Sequence, residues 1–86
     1  MELNPDEMQA VVKRLRRAQG QIGGVLKMIE DGRDCTEVVT QLAAVSKALD
    51  RAGFAVIAVG LRQVLVQPDA QEADVAAMEK LFLSLA

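Results

Sequence analysis

Residues 52–66 read Ala52-Gly53-Phe54-Ala55-Val56-Ile57-Ala58-Val59-Gly60-Leu61-Arg62-Gln63-Val64-Leu65-Val66. Wound as a helix, this stretch is apolar almost all round, with Arg62 and Gln63 as its only strongly polar members. Such a helix needs covering surfaces on more than one side. It is too short to span a bilayer, which takes about 20 apolar residues, so the cover must be protein. Upstream, Val38, Val39, Leu42, Val45 and Leu49 recur at helical spacing. Together the two stretches predict one long helix over about 35–67, amphipathic first and apolar later.

Two further helices flank it. About 5–31 repeats apolar residues at Met8, Val11/Val12, Leu15, Ala18, Ile22, Val25/Leu26 and Ile29, close to a heptad pattern. Gly20, Gly23 and Gly24 interrupt it and suit a kink or a close helix crossing. About 70–85 carries Val75, Met78, Leu81/Phe82 and Leu85. Each helix has a start signal of capping-box type: Asn4-Pro5-Asp6-Glu7, Asp34-Cys35-Thr36-Glu37 and Asp69-Ala70-Gln71-Glu72. Asp31-Gly32 reads as the end of the first helix. No strand-type alternation or internal repeat is present.

An all-α fold follows, with residues 1–86 as a single helical domain. A domain of this length buries only ~60–65% of its unfolded surface and is marginal alone. Cys35 is the only cysteine and there is no histidine, so neither a disulfide nor a His-based zinc site reinforces it. Oligomerisation is the remaining common remedy. Two chains pairing their long helices antiparallel make a four-helix-bundle dimer, and helix three can join two dimers. The expected partner is therefore a second copy, as homodimer or homotetramer, with no membrane. Met1-Glu2-Leu3-Asn4-Pro5 has neither a basic start nor an apolar run, so no signal peptide is expected and the expected location is cytoplasmic.

The formal net charge is −2, but the charge is unevenly placed. Lys13, Arg14, Arg16 and Arg17 put four cations into five residues. A charge average can hide a basic face of this kind. From charge alone, a solvated helix face is the default reading. No aromatic residue is interleaved to stack on bases, which favours duplex backbone contact over single-stranded RNA.

The run Arg14-Leu15-Arg16-Arg17-Ala18-Gln19-Gly20-Gln21-Ile22-Gly23-Gly24-Val25 changes that balance. It resembles the first-helix motif of the CsoR/RcnR/FrmR family of bacterial metal-sensitive repressors. A short turn, Asp31-Gly32-Arg33-Asp34, and Cys35 follow as in that family. Val39-Thr40-Gln41-Leu42-Ala43-Ala44-Val45 and Ala48-Leu49-Asp50-Arg51-Ala52 continue the likeness, which covers about residues 8–65. The resemblance implies a repressor that binds double-stranded operator DNA and releases it when a ligand binds. It implies a DNA surface at Lys13, Arg14, Arg16, Arg17 and Arg51, and a tetramer built of two dimers.

Cys35 falls on the family's sensor cysteine. As the first residue of a helix, beside Arg33, it has the positive surroundings in which cysteines react and bind metals; the bland reading is a small hydrophobe packed at a helix end. The other ligands do not carry over. Copper sensors of the family use a His and a second Cys one turn apart late in helix two, and Gly60 and Val64 stand at those positions here. A lone thiolate does not supply the two or three soft ligands copper(I) prefers. No cofactor and no tight copper or nickel binding is expected; thiol modification is the expected signal.

The function expected is a DNA-binding repressor with any inducer acting through Cys35. The alternative is a helical oligomerisation module without DNA contact, or a degenerate paralogue of a copper-sensing repressor. An enzyme is not expected: no nucleophile–base pair and no phosphate-binding glycine loop can be found.

Overall fold

A computed structural model describes residues 2–67 and 72–86. All regular structure in those residues is helical: a 3-10 turn at Pro5–Met8, then α1 (Gln9–Glu30), α2 (Cys35–Val66) and α3 (Glu72–Leu85). The three expected helices are present, with a changed entry to the first. The Asn4 side chain accepts from the Asp6 N–H at 2.9 Å. The Glu7 N–H donates to the Asn4 carbonyl at 3.1 Å, an i→i+3 link that winds the first turn tightly. The α-helix itself therefore starts at Gln9, not Pro5.

The turn between α1 and α2 is closed on both sides. The Arg33 N–H reaches the Met28 carbonyl at 2.9 Å and the Gly32 N–H reaches the Ile29 carbonyl at 3.1 Å. This pair of bonds requires a left-handed residue between them, and Gly32 supplies it at φ 70°. Asp34 then caps α2, accepting from the Thr36 N–H at 3.0 Å. The second half of the expected capping box is not made. Glu37 accepts from Arg33 Nε at 2.8 Å instead, a hydrogen bond that is also an ion pair. In the third expected box, Asp69, Ala70 and Gln71 lie outside the described residues, as does residue 70, the expected start of helix three.

The α1–α2 hairpin is sealed by two rows spaced by seven. Val11, Ala18 and Val25 are buried on α1, and Val45, Ala52 and Val59 on α2. A seven-residue repeat keeps a seam nearly parallel to the helix axis, the geometry of shallow helix crossings. The interrupting glycines do not act as expected inside the subunit. The helix is continuous through them, and a Cβ at Gly20, Gly23 or Gly24 would meet nothing within 4 Å.

α3 runs back along the apolar half of α2. A Cβ on Gly53 would lie 2.7 Å from Leu85 Cδ1, and one on Gly60 would lie 3.2 Å from Met78 Sδ. Between them the Phe54 and Phe82 rings stand 5.2 Å apart, tilted by 53°. Among the described residues α1 and α3 do not approach each other, so α2 lies between them.

The result is a slab of 55 × 25 × 12 Å. Its thin dimension is about the ~10–12 Å of one helix with its side chains. The radius of gyration is 16.7 Å, against ~12 Å for a compact domain of this length. A single layer cannot enclose a core, since folds are stable as two or more packed layers. The accessible surface is 6531 Å², where a compact monomer of this mass exposes about 5,000 Å². The apolar excess read from residues 52–66 persists at Leu65 and Val66, and it extends to both helices of the hairpin.

Candidate functional site

Arg14, Arg17 and Gln21 follow one another on α1 at intervals of three and four, so they share a face. On α2, Lys47 and Arg51 do the same. The hairpin brings the two faces together across Ala44 and Ala48, around a groove of about 310 Å³. The alanines let the long side chains stand at the rim. No carboxylate lines the groove, and among the described residues the only salt bridge is Arg33–Glu37. Four cations thus converge with no carboxylate partner, an arrangement that concentrates anions.

Of the five expected DNA contacts, Arg14, Arg17 and Arg51 meet in this groove. Lys13 and Arg16 are exposed on α1 but do not line it. Lys47 was missed by sequence reasoning; its spacing of four from Arg51 was the available signal. In the sequence Gln21 stands out only as part of the first-helix motif. It is the one uncharged polar side chain in the groove, and its Oε1 is sealed from solvent without a hydrogen-bond partner.

Cys35 is free and exposed at the start of α2. Its sequence neighbour Arg33 is held by Glu37 and so is committed elsewhere. Gly60 and Val64 lie on the other half of α2 and are both buried. Over Gly60 sit Met78 and, 3.6 Å from where a Cβ would be, Leu3 Cδ2. The N-terminal segment is fastened there: the Asn4 N–H donates to Gln63 Oε1 at 3.2 Å, and Gln63 Nε2 donates to the Glu2 carbonyl at 3.5 Å. Val64 is only 1% exposed. The two positions expected to hold metal ligands are thus filled by hydrocarbon and thioether packing. Among the described residues no group of three or more His, Cys, Asp and Glu side chains could hold a metal ion. With Cys35 as its only cysteine and no histidine, the chain lacks the His and second Cys of the copper site that the resemblance implies.

A model of the metal-sensitive transcriptional repressor family matches residues 7–84. The chain belongs to that family. The copper-sensing transcriptional repressor RicR of Mycobacterium tuberculosis is 51% identical over 37 residues, covering 43% of this chain and 38% of RicR. The copper-sensing repressor CsoR of Mycobacterium ulcerans is 38% identical over 47 residues, covering 55% of this chain and 40% of CsoR. The matches thus span about two fifths of the length of these curated relatives. The solved structure of the nickel-responsive transcriptional regulator InrS superposes with a TM-score of 0.75 at 28% identity, over 100% of this chain and 98% of that one. The all-helical repressor fold is therefore shared along the whole chain, and the family consists of transcriptional regulators rather than enzymes. Among the described residues no helix is long and apolar enough to cross a membrane.

Proposed function

We propose that this protein is a CsoR-type transcriptional repressor that binds duplex operator DNA through Arg14, Arg17, Lys47 and Arg51, with Lys13 and Arg16 contributing from the adjoining surface of α1. The observation that carries this reading is the convergence of four cations on a groove free of carboxylates. Such side chains neutralise phosphates and release counterions, which supplies most of the affinity of a protein for DNA.

The working form is a homodimer or homotetramer in the cytoplasm, with residues 1–86 acting as one domain. Each hairpin helix carries a second apolar row that the subunit leaves exposed: Leu15, Ile22 and Ile29 on α1, Leu42 and Leu49 on α2. Both rows are again spaced by seven. A second copy seated on them completes a four-helix bundle. The surplus surface of about 1,500 Å² over a compact monomer exceeds the ~800 Å² each partner contributes to a standard interface. Any inducer acts through Cys35 by thiol modification, a reading supported by its exposure and by the filled positions at Gly60 and Val64.

The test is binding to the DNA upstream of the protein's own gene across a range of salt. Affinity should fall steeply with salt, and each of Arg14→Ala, Arg17→Ala, Lys47→Ala and Arg51→Ala should lower the log–log slope by about 0.9. Helicity should hold, because all four are surface positions. A triple arginine variant that binds as well as the native chain overturns the DNA surface. That result would favour the oligomerisation module or degenerate paralogue, for which the net charge of −2 speaks.

A further inference from the structure

The four charged side chains of the groove are hydrogen-bond donors only. Phosphate oxygens are acceptors only. Contacts between the two hold a duplex in place but carry no information about its sequence. Gln21 differs from them in kind. Its carboxamide offers both a donor pair and an acceptor, and it is the groove's only uncharged polar side chain. Its acceptor is also the one buried side-chain nitrogen or oxygen among the described residues without a partner. A sealed, unpaired carbonyl is costly, and such orphans in native proteins call for an explanation. The residue is half-exposed, so rotation of its side chain can carry the carboxamide into the groove without moving the backbone.

We infer that Gln21 reads base identity in the bound duplex, its carboxamide pairing with the edge of an adenine. Among the four bases, adenine presents an amino donor beside a ring-nitrogen acceptor in the major groove, and this matches the acceptor and donor of a glutamine side chain. The arginines and lysine fix the register on the backbone, and Gln21 exchanges its unsatisfied position for a pair with the base opposite. The inference rests on the DNA-binding reading above.

Gln21→Met keeps the length and apolar stem of the side chain and removes the amide. Affinity is measured for the DNA upstream of the gene and for a scrambled duplex of equal composition, each across a salt range, together with thermal unfolding. The expected result is an approximately tenfold loss of discrimination between the duplexes, equal to about 1.4 kcal/mol. The salt slope should be unchanged and the melting temperature raised, because a costly orphan has been removed. Unchanged discrimination overturns the inference. So does an equal loss on both duplexes with a shallower slope, which would make Gln21 a phosphate contact, and so does a fall in melting temperature without loss of discrimination. A second experiment uses the native chain. Adenines of the upstream DNA are replaced one at a time by a purine lacking the 6-amino group; one replacement should weaken binding of the native protein, and none doing so overturns the inference. If the arginine variants above leave binding intact, the DNA-binding reading itself has failed. If they weaken binding while Gln21→Met keeps full discrimination, only this inference has.

Discussion

Met78 sets its thioether over Gly60 so closely that a Cβ there would lie 3.2 Å from the sulfur. Leu3 closes the same spot from the N-terminal segment, so three parts of the chain meet where α2 has no side chain. Gly60→His should therefore overpack the seat, lowering stability by ~1–3 kcal/mol, read as a lower urea midpoint. Met78→Ala should cost ~2–5 kcal/mol through the cavity it leaves. The double variant should cost less than the sum, since the imidazole enters space the methionine vacates. Strict additivity would show that the two positions do not share one packing site.

The exposed rows can be tested by charge. On an isolated subunit, Ile22→Asp and Leu49→Asp would be surface changes worth less than about 0.5 kcal/mol. In an assembled bundle each puts an unpaired carboxylate into an apolar seam, at a cost of several kcal/mol. Sedimentation of the native chain should show a dimer or larger species, and the variants should dissociate or unfold. A folded native monomer at micromolar concentration would count against the bundle.

Cys35 is exposed, so folded protein should be alkylated readily by maleimides. Modification should weaken DNA binding about 100-fold, a coupling of about 2.7 kcal/mol. Cys35→Ser should bind DNA as the native chain does and ignore thiol reagents. Native protein that stays on DNA after full alkylation would remove Cys35 from the switch. A copper(I) titration against a strong competing chelator should find no tight site.

Gly32 stands at φ 70°, and a Cβ added there would meet nothing within 4 Å. Gly32→Ala should thus cost ~1–2 kcal/mol from backbone conformation alone. Gly32→Asn should cost less, because asparagine tolerates the left-handed region better. Thermal melts of the two variants separate them; equal losses would point to a steric origin.

The three helices, the Gly32 stop between the first two and the long apolar half of α2 were legible in the sequence because they depend on local spacing, whereas the 3-10 entry at Pro5–Met8 was not. The groove was legible only in part. Arg14 and Arg17 stand out because they belong to a dense cluster, whereas Lys47 is an isolated cation that matters only once the hairpin sets α2 against α1. Lys13 and Arg16 belong to the same sequence cluster, but a 3.6-residue period turns them away from the groove. The bond from Glu37 to Arg33 could not be read from the capping pattern, since the same glutamate can satisfy either partner. The closure over Gly60 depends on Leu3 and Met78, residues 57 and 18 positions away in sequence, and no local pattern reports contacts of that range.

The central place of α2 has a mechanical consequence. With 32 residues at ~1.5 Å each it is a beam of roughly 48 Å. Its middle carries Lys47 and Arg51 on one side, and its C-terminal half, from Gly53 on, seats α3. Because α1 and α3 never touch within the described residues, a push on α3 has no shorter path to the groove than along this beam. The N-terminal segment ties the far end of α2 to the entry of α1, so sliding α2 lengthwise would strain that tie. Small axial displacements would shear the groove, moving its α2 rim past its α1 rim while leaving both helices intact.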